Sequence, residues 1–529
     1  MTAAVVCGAL LVGTTAASGG PAGIGSPRGL PEYGAPMHVG DMPSNTSGSG
    51  WHTNFFAAAD FNGDGLPDIL ATRSLWQSGL LFSPGVFVNT GHGQFQDVTN
   101  SLFAGHVPTP MDPRRVLVAD LNRDGRPDVF IADQGTDLPG SPGHQNTLIL
   151  SAPGGKLVDA TANLPQQDDY THAAAVADVN GDGAPDIFVG QIGGTVGSEI
   201  QLNDGSGHFT VEPQGIPDSL ADPRACRVVL SAAFADVDGN GSQDLVLGGG
   251  FNPCYPMPTG VLSNDGHGRF PALTQQFPQP PFGFDSPSDI QVGDLNGDGA
   301  PDVVIAYTKH DWVGQWLQIM INDGHGHFAD ETTGRLPPQR DNNLGWIKWV
   351  KLVDLNGDGR LDIATSVQPL GPPWRESSPY FLNGGTGVFS RLPDDLAPGQ
   401  YDTYALTELG GGRGLDVVSG GDPEISLVRT IRPSGRRMYG AAGPGMHVSL
   451  VLDSGRPPRR VRPGYHQLVV WDLSPSDGFR LRGPGVNALT SRAYTGITDW
   501  DVFLKRRSRY IFSLTSNPSR YGSFRTRKR

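Results

Sequence analysis

The chain has 529 residues and a formal net charge of −14, and its 74 Gly and 45 Pro make up about 22% of it, against roughly 12% in an average protein. That density of residues that break regular structure excludes a helical bundle or coiled coil, while 37% apolar residues are enough for a substantial core and exclude a disordered chain. The charge is divided: residues 1–424 hold 19 Lys and Arg against 48 Asp and Glu, a balance of −29, and residues 425–529 hold 20 against 5, a balance of +15.

The apolar stretch at 3–17, followed by Ser18-Gly19-Gly20-Pro21, reads as the apolar region and cleavage zone of a signal peptide over residues 1–20, although no basic segment precedes it. Residues 21–49 are expected to be a flexible linker. No other run approaches the ~18 apolar residues needed to cross a bilayer, so a secreted product without a membrane span is expected.

From residue 50 a nine-residue pattern recurs: DFNGDGLPD at 60–68, DLNRDGRPD at 120–128, DVNGDGAPD at 178–186, DVDGNGSQD at 236–244, DLNGDGAPD at 294–302 and DLNGDGRLD at 354–362. The spacings are 60, 58, 58, 58 and 60 residues, and 54 residues further on an eroded copy keeps Glu408 and Asp416 around Gly410 and Gly412. In each unit an apolar run enters the loop and a β-branched run such as Ile187-Phe188-Val189 leaves it. A third run then ends at a turn containing Asn89, Asn203, Asn264, Asn322 or Asn383 followed by Gly, residues that accept the positive φ of a tight hairpin. Four strands in ~58 residues, seven times over, predict an all-β chain with a seven-bladed β-propeller over 50–424.

Loop places 1, 3, 5 and 9, with the carbonyl of place 7, converge hard oxygen ligands of the kind that select calcium. The expected sets are Asp60, Asn62, Asp64, Asp68 with Leu66; Asp120, Asn122, Asp124, Asp128 with Arg126; and Asp178, Asn180, Asp182, Asp186 with Ala184. The remaining three are Asp236, Asp238, Asn240, Asp244 with Ser242; Asp294, Asn296, Asp298, Asp302 with Ala300; and Asp354, Asn356, Asp358, Asp362 with Arg360. A single such loop can be an Asx turn without an ion, but six copies cluster 18 Asp that would repel one another, so about six structural calcium ions are expected. The loop and the NDGxGxF hairpin resemble the FG-GAP/VCBS repeats of exported proteins and the calcium-bearing blades of integrin α-subunits, over roughly residues 50–424. The resemblance implies a binding or adhesion protein, and the same repeats also occur in a few carbohydrate-active enzymes, so a polysaccharide lyase or dehydratase is the competing reading.

Strand direction places the aspartate loops and Asn-Gly hairpins on one face and the long, irregular connections on the other, where binding is expected. Cys226 lies ten residues before Asp236 and Cys254 ten after Asp244, which predicts a disulfide on that second face. Trp312, Trp316, Trp346 and Trp374 fall near strand ends on the same side, as candidates for stacking an extracellular glycan or a protein partner, with packing between blades as the alternative. No nucleophile or acid–base motif is evident.

Residues 425–529 read as a small β-sandwich, and the stretch from Gly464 through Gly483-Pro484-Gly485-Val486 to Phe524 resembles a plastocyanin-like cupredoxin. Type 1 copper needs a Cys thiolate, and no cysteine follows Cys254, so a copper-free domain is expected. Its 18 Arg and 2 Lys can dock on the acidic body, bind an anionic surface, or only keep the domain soluble. Nucleic acid is not an expected partner of an exported chain without a DNA or RNA motif.

Overall fold

The computed structural model describes residues 32–33, 37–42 and 52–528, apart from 76–78, 92–93, 137–142, 226, 252–256, 357–358, 371–377, 393–403, 408–415, 421–423, 429, 432–436, 444–446, 453–455, 473–477, 491–495, 516–517 and 520. The expected signal peptide, Cys226, Cys254, Asp358, Trp374 and most of the eroded seventh loop therefore lie outside the described residues. Helix among the described residues is limited to single turns such as Thr99–Leu102 and Asp218–Ala221, and no helix is long and apolar enough to cross a membrane.

Seven four-stranded antiparallel sheets follow one another along the acidic body. The first four open with His52–Ala59, Pro113–Ala119, Thr171–Ala177 and Val229–Ala235, and the next three with Phe284–Gly293, Trp346–Val353 and Tyr404–Thr407. In six of them the second strand begins on the ninth residue of the aspartate loop, as in Asp186–Gln191 and Asp244–Gly249, and the seventh matches with Asp416–Gly420. These second strands are almost entirely buried, which is why they read as unbroken apolar runs rather than as alternating ones.

No single core serves the body. Apolar side chains instead fill a wedge between each sheet and the next. Leu70 and Val86 of the first sheet meet Val129 and Ile149 of the second, Phe188 of the third meets Leu245 of the fourth, and Ala364 of the sixth meets Val417 of the seventh. The last wedge joins Val418 and Leu427 of the seventh sheet to Ile69 and Phe87 of the first, so the succession closes on itself.

The closing strand comes from the segment expected to be a linker. Met37–Asp41 pairs with Glu424–Val428 as the outermost strand of the seventh sheet, placing Val39 and Met42 in the closing wedge, and Glu32–Tyr33 pairs with Thr430–Ile431. The expected boundary at 424/425 is displaced as well, because Glu424–Val428 belongs to that sheet. Beyond it, a four-stranded and a five-stranded sheet share one core in which Met438, Leu468 and Val502 of the former face Phe479, Leu514 and Phe524 of the latter. The second C-terminal unit is thus a two-sheet sandwich.

Deleting residues 1–42 should lower the melting temperature by several degrees and promote association, since it empties part of the closing wedge and bares the edge of Glu424–Val428. Calorimetry and light scattering on the truncated chain check this, and an unchanged melt would contradict closure by the N-terminal strand.

Candidate functional site

Each aspartate loop is first a hydrogen-bonded device. In the first loop the Asp60 carboxylate accepts from the amides of Gly63, Asp64 and Gly65, Asn62 Oδ1 accepts from Asp64 N, and Asp64 Oδ1 from Leu66 N. The third and fifth loops repeat the pattern at Asp178 and Asp182 and at Asp294 and Asp298.

The ninth residue does something the sequence did not reveal. Asp68, Asp128, Asp186, Asp244, Asp302 and Asp362 are all fully buried. One oxygen of Asp186 accepts from Val179 N at 3.0 Å and the other from Asn203 N at 2.8 Å, so a single carboxylate ties the start of its loop to the hairpin of its own sheet. The other five bond in the same way. Burial pushes the carboxyls of Asp68, Asp186 and Asp302 up to about 6 despite these amide bonds. Oδ2 of Asp68 and of Asp128 accepts a second amide, from Asn62 and Asn122, while Oδ1 accepts one and keeps a lone pair for a cation.

The hairpin asparagines then join one sheet to its predecessor. Asn203 Nδ2 donates to Leu121 O in the second loop and to Pro185 O in its own, and Asn264, Asn322 and Asn383 do the same one sheet further on each time. The second sheet has Ser151 at this place, and the Arg126 guanidinium reaches Phe61 O of the first loop instead. Arg123, at φ 57° where the first, third, fourth and fifth loops have Gly63, Gly181, Gly239 and Gly297, extends into the third loop and pairs with Asp182 at 3.3 Å.

Among the described residues, the fourth loop brings its carboxylates together for a divalent cation. Asp236, Asp238 and Asp244 each bring a carboxylate oxygen within 4.8 Å of the others, and Asp236 Oδ1 is buried without a hydrogen-bond partner. Its carboxylates stand at the first, third and ninth places, where the other loops have theirs at the first, fifth and ninth.

On the opposite face two of the four candidate tryptophans meet. Trp312, 37% exposed and held at φ 60° in a turn, lies 4.9 Å from Trp346 and stacks on His172 at 6.3 Å. His172 is buried, and burial with the nearby Arg114, Arg115 and Lys348 holds its pKa down to about 3, so the ring is neutral. Trp316 belongs elsewhere, against Phe284 and Phe282. Trp349 packs inward, edge-on to Phe55 and beneath Arg115, which in turn pairs with Asp289 at 3.2 Å. A cavity of about 310 Å³ opens between the fourth and fifth sheets, lined by Phe251, Thr259, Tyr307 and Asp285, with His310 against Phe251 at its edge.

One pair of acids also escaped sequence reading because its members are 30 residues apart. Asp169 and Glu199 are 1% and 8% exposed, and burial together with Glu199 pushes the Asp169 carboxyl up to about 8. Such burial leaves no access to a substrate. Asp169 takes up a proton on folding at any pH between its ordinary value and about 8, so stability falls as pH rises through that window. Asp169→Asn should therefore raise the melting temperature most above pH 8 and least near pH 4, a difference that melts across pH 4–9 would measure.

Compared with known proteins, residues 75–131 and 294–365 match a family model described as an FG-GAP-like repeat. The human T-cell immunomodulatory protein is 26% identical over 267 residues, covering 46% of this chain and 40% of that protein, so the chain spans less than half of this relative. Among solved structures, the V. cholerae biofilm matrix protein Bap1 overlaps 72% of this chain and 77% of its own, at 12% identity and a TM-score of 0.31. An exo-β-1,3-galactanase from Phanerochaete chrysosporium overlaps 68% and 95%, at 10% identity and a TM-score of 0.29. No shared fold follows from scores that low. The family match, falling on the loops whose geometry is described above, establishes that this chain carries FG-GAP-like repeats.

Proposed function

We propose that this chain is an exported, calcium-stabilised seven-bladed β-propeller that holds an extracellular carbohydrate or protein on the face opposite its aspartate loops. The C-terminal unit is its accessory domain, a cupredoxin-like sandwich without copper. The observation that carries the binding assignment is where large apolar side chains are left exposed. Leu80, Leu81, Phe251, Phe282, Trp312, Leu344 and Leu370 are seven of the thirteen such residues among those described, and all seven sit in connections on that one face. Folding alone gives no reason to gather them there. Trp312 adds a side chain held in a backbone conformation that costs energy for a non-glycine residue, as is common where a residue is kept for contact with a ligand.

The calcium assignment rests on the fourth loop. Asp236, Asp238 and Asp244 would hold the ion together with Asn240 and the Ser242 carbonyl, and the ion would neutralise the buried carboxylate at the ninth place. The other five loops carry the same donor types, with Asn at the third place and Asp at the fifth.

Two measurements test the proposal. Chelation should lower the melting temperature by many degrees, since an ion bound only by the folded chain stabilises it by mass action. Asp238→Ala should remove one ion and leave the rest, because repeats couple chiefly to their neighbours. No bound metal and an unaltered melt would overturn the calcium assignment. For the face, Trp312→Gly keeps the positive φ at no steric cost and removes the indole. Binding to a panel of extracellular polysaccharides and surface proteins should weaken about tenfold or more with the melt preserved. Equal binding would remove Trp312 from the site.

A further inference from the structure

We infer that the outer face of the five-stranded C-terminal sheet binds an acidic polysaccharide, a linear sugar chain carrying carboxylate or sulfate groups. This site is independent of the loop face. The sheet orders its strands as Arg460–Val461, Tyr521–Thr526, Arg509–Leu514, Phe479–Gly483 and Val486–Leu489. Its register sets Arg460 opposite Arg525 and Arg525 opposite Arg509, so three exposed arginines stand directly abreast on adjacent strands. Their chain neighbours Val461, Phe524 and Tyr510 point inward to the core, which fixes the arginines on the outer side. Arg480 and Arg482 share that side on the next strand, and no Asp or Glu occurs in any of the five strands.

Like charges placed directly opposite one another destabilise a sheet, so folding does not account for this row. An anionic partner does. The strands are about 4.8 Å apart, so an extended chain lying across them would meet one guanidinium on each of three adjacent strands. Arginine outnumbers lysine 18 to 2 in residues 425–529, and its planar fork grips carboxylate and sulfate oxygens in pairs, where lysine offers a point charge. On the same side Ser523 Oγ accepts from Arg509 and Asn487 Oδ1 from Arg480, polar groups that orient the guanidinium groups, and Tyr521, 55% exposed at the end of the same face, offers a ring for stacking. A lipid surface would call for diffuse charge with clustered apolar side chains, whereas the exposed Leu489 and Tyr521 of this face stand on strands separated by two others.

The test uses the full chain with polygalacturonate and heparin as probes, and dextran, phosphatidylserine vesicles and duplex DNA as comparisons. Expected are binding to an acidic polysaccharide but not to dextran, weakening as salt rises, and at least a tenfold loss in the Arg509→Ser/Arg525→Ser double variant. That variant should melt at the same or a higher temperature, because it relieves repulsion. Lysine at both positions should restore only part of the affinity. Tighter binding to vesicles or DNA than to polysaccharide would overturn the inference, as would undiminished binding by the double variant. A lowered melt in that variant would show the arginines to be structural and overturn it too.

Discussion

The carboxylate at the ninth place of each loop is the contact on which the acidic body depends. It is buried, it opens the second strand, and its two oxygens hold the amide at the loop entry and the amide of the hairpin that closes the third strand. A buried anion held mainly by amide dipoles is costly, and the rise of Asp68, Asp186 and Asp302 to about 6 records that cost. Aspartates at the first and fifth places add repulsion at Asp186. The residue that organises the loop therefore also creates the local demand for positive charge, and the proposed calcium ions would meet it. In the third loop Arg123 already meets part of it by reaching Asp182 from the loop before.

Because the core is divided into wedges, no sheet is stable by its own packing, and each depends on two neighbours. The asparagine bridges run in the same sense, from the hairpin of one sheet to the loop of the one before. The ring is completed by two strands that lie far apart in sequence, at 37–41 and 424–428. Opening at that seam would disturb one wedge directly and the remainder only through it.

The loops, the hairpins and the strands between them were legible in the sequence because Asp, Asn and Gly at fixed intervals are demanded by local backbone geometry. What was not legible depends on contacts across long separations. Met37–Asp41 is five residues with no repeat mark, and only its partner makes it a strand. Trp312 and Trp316 are four residues apart, yet one lies in a turn at positive φ beside Trp346 and the other begins a strand against Phe284. The substitution of Arg126 for a hairpin Asn required knowing that Ser151 occupied the Asn place. In the C-terminal unit the abundance of arginine was plain, but its alignment into a row exists only through strand register.

The centre of the body bears on where a ligand can sit. Arg115, from the first strand of the second sheet, reaches Asp289 and the Ser288 carbonyl on the first strand of the fifth, and its guanidinium lies 4.4 Å from the Trp349 ring centroid. Trp349 is edge-on to Phe55 of the first sheet, and the Lys348 ammonium lies over the same Phe55 ring. Side chains from four sheets thus interlock across the middle, and both members of the Arg115–Asp289 pair are buried. A pair so placed is expensive to separate, since either partner alone would be an uncompensated charge in a low-dielectric interior. The interior is therefore closed to a polymer threading through it. Trp312 bridges His172 on the first strand of the third sheet and Trp346 on the first strand of the sixth, so the proposed ligand would meet it above this closed centre, among connections that can vary without disturbing the wedges beneath them.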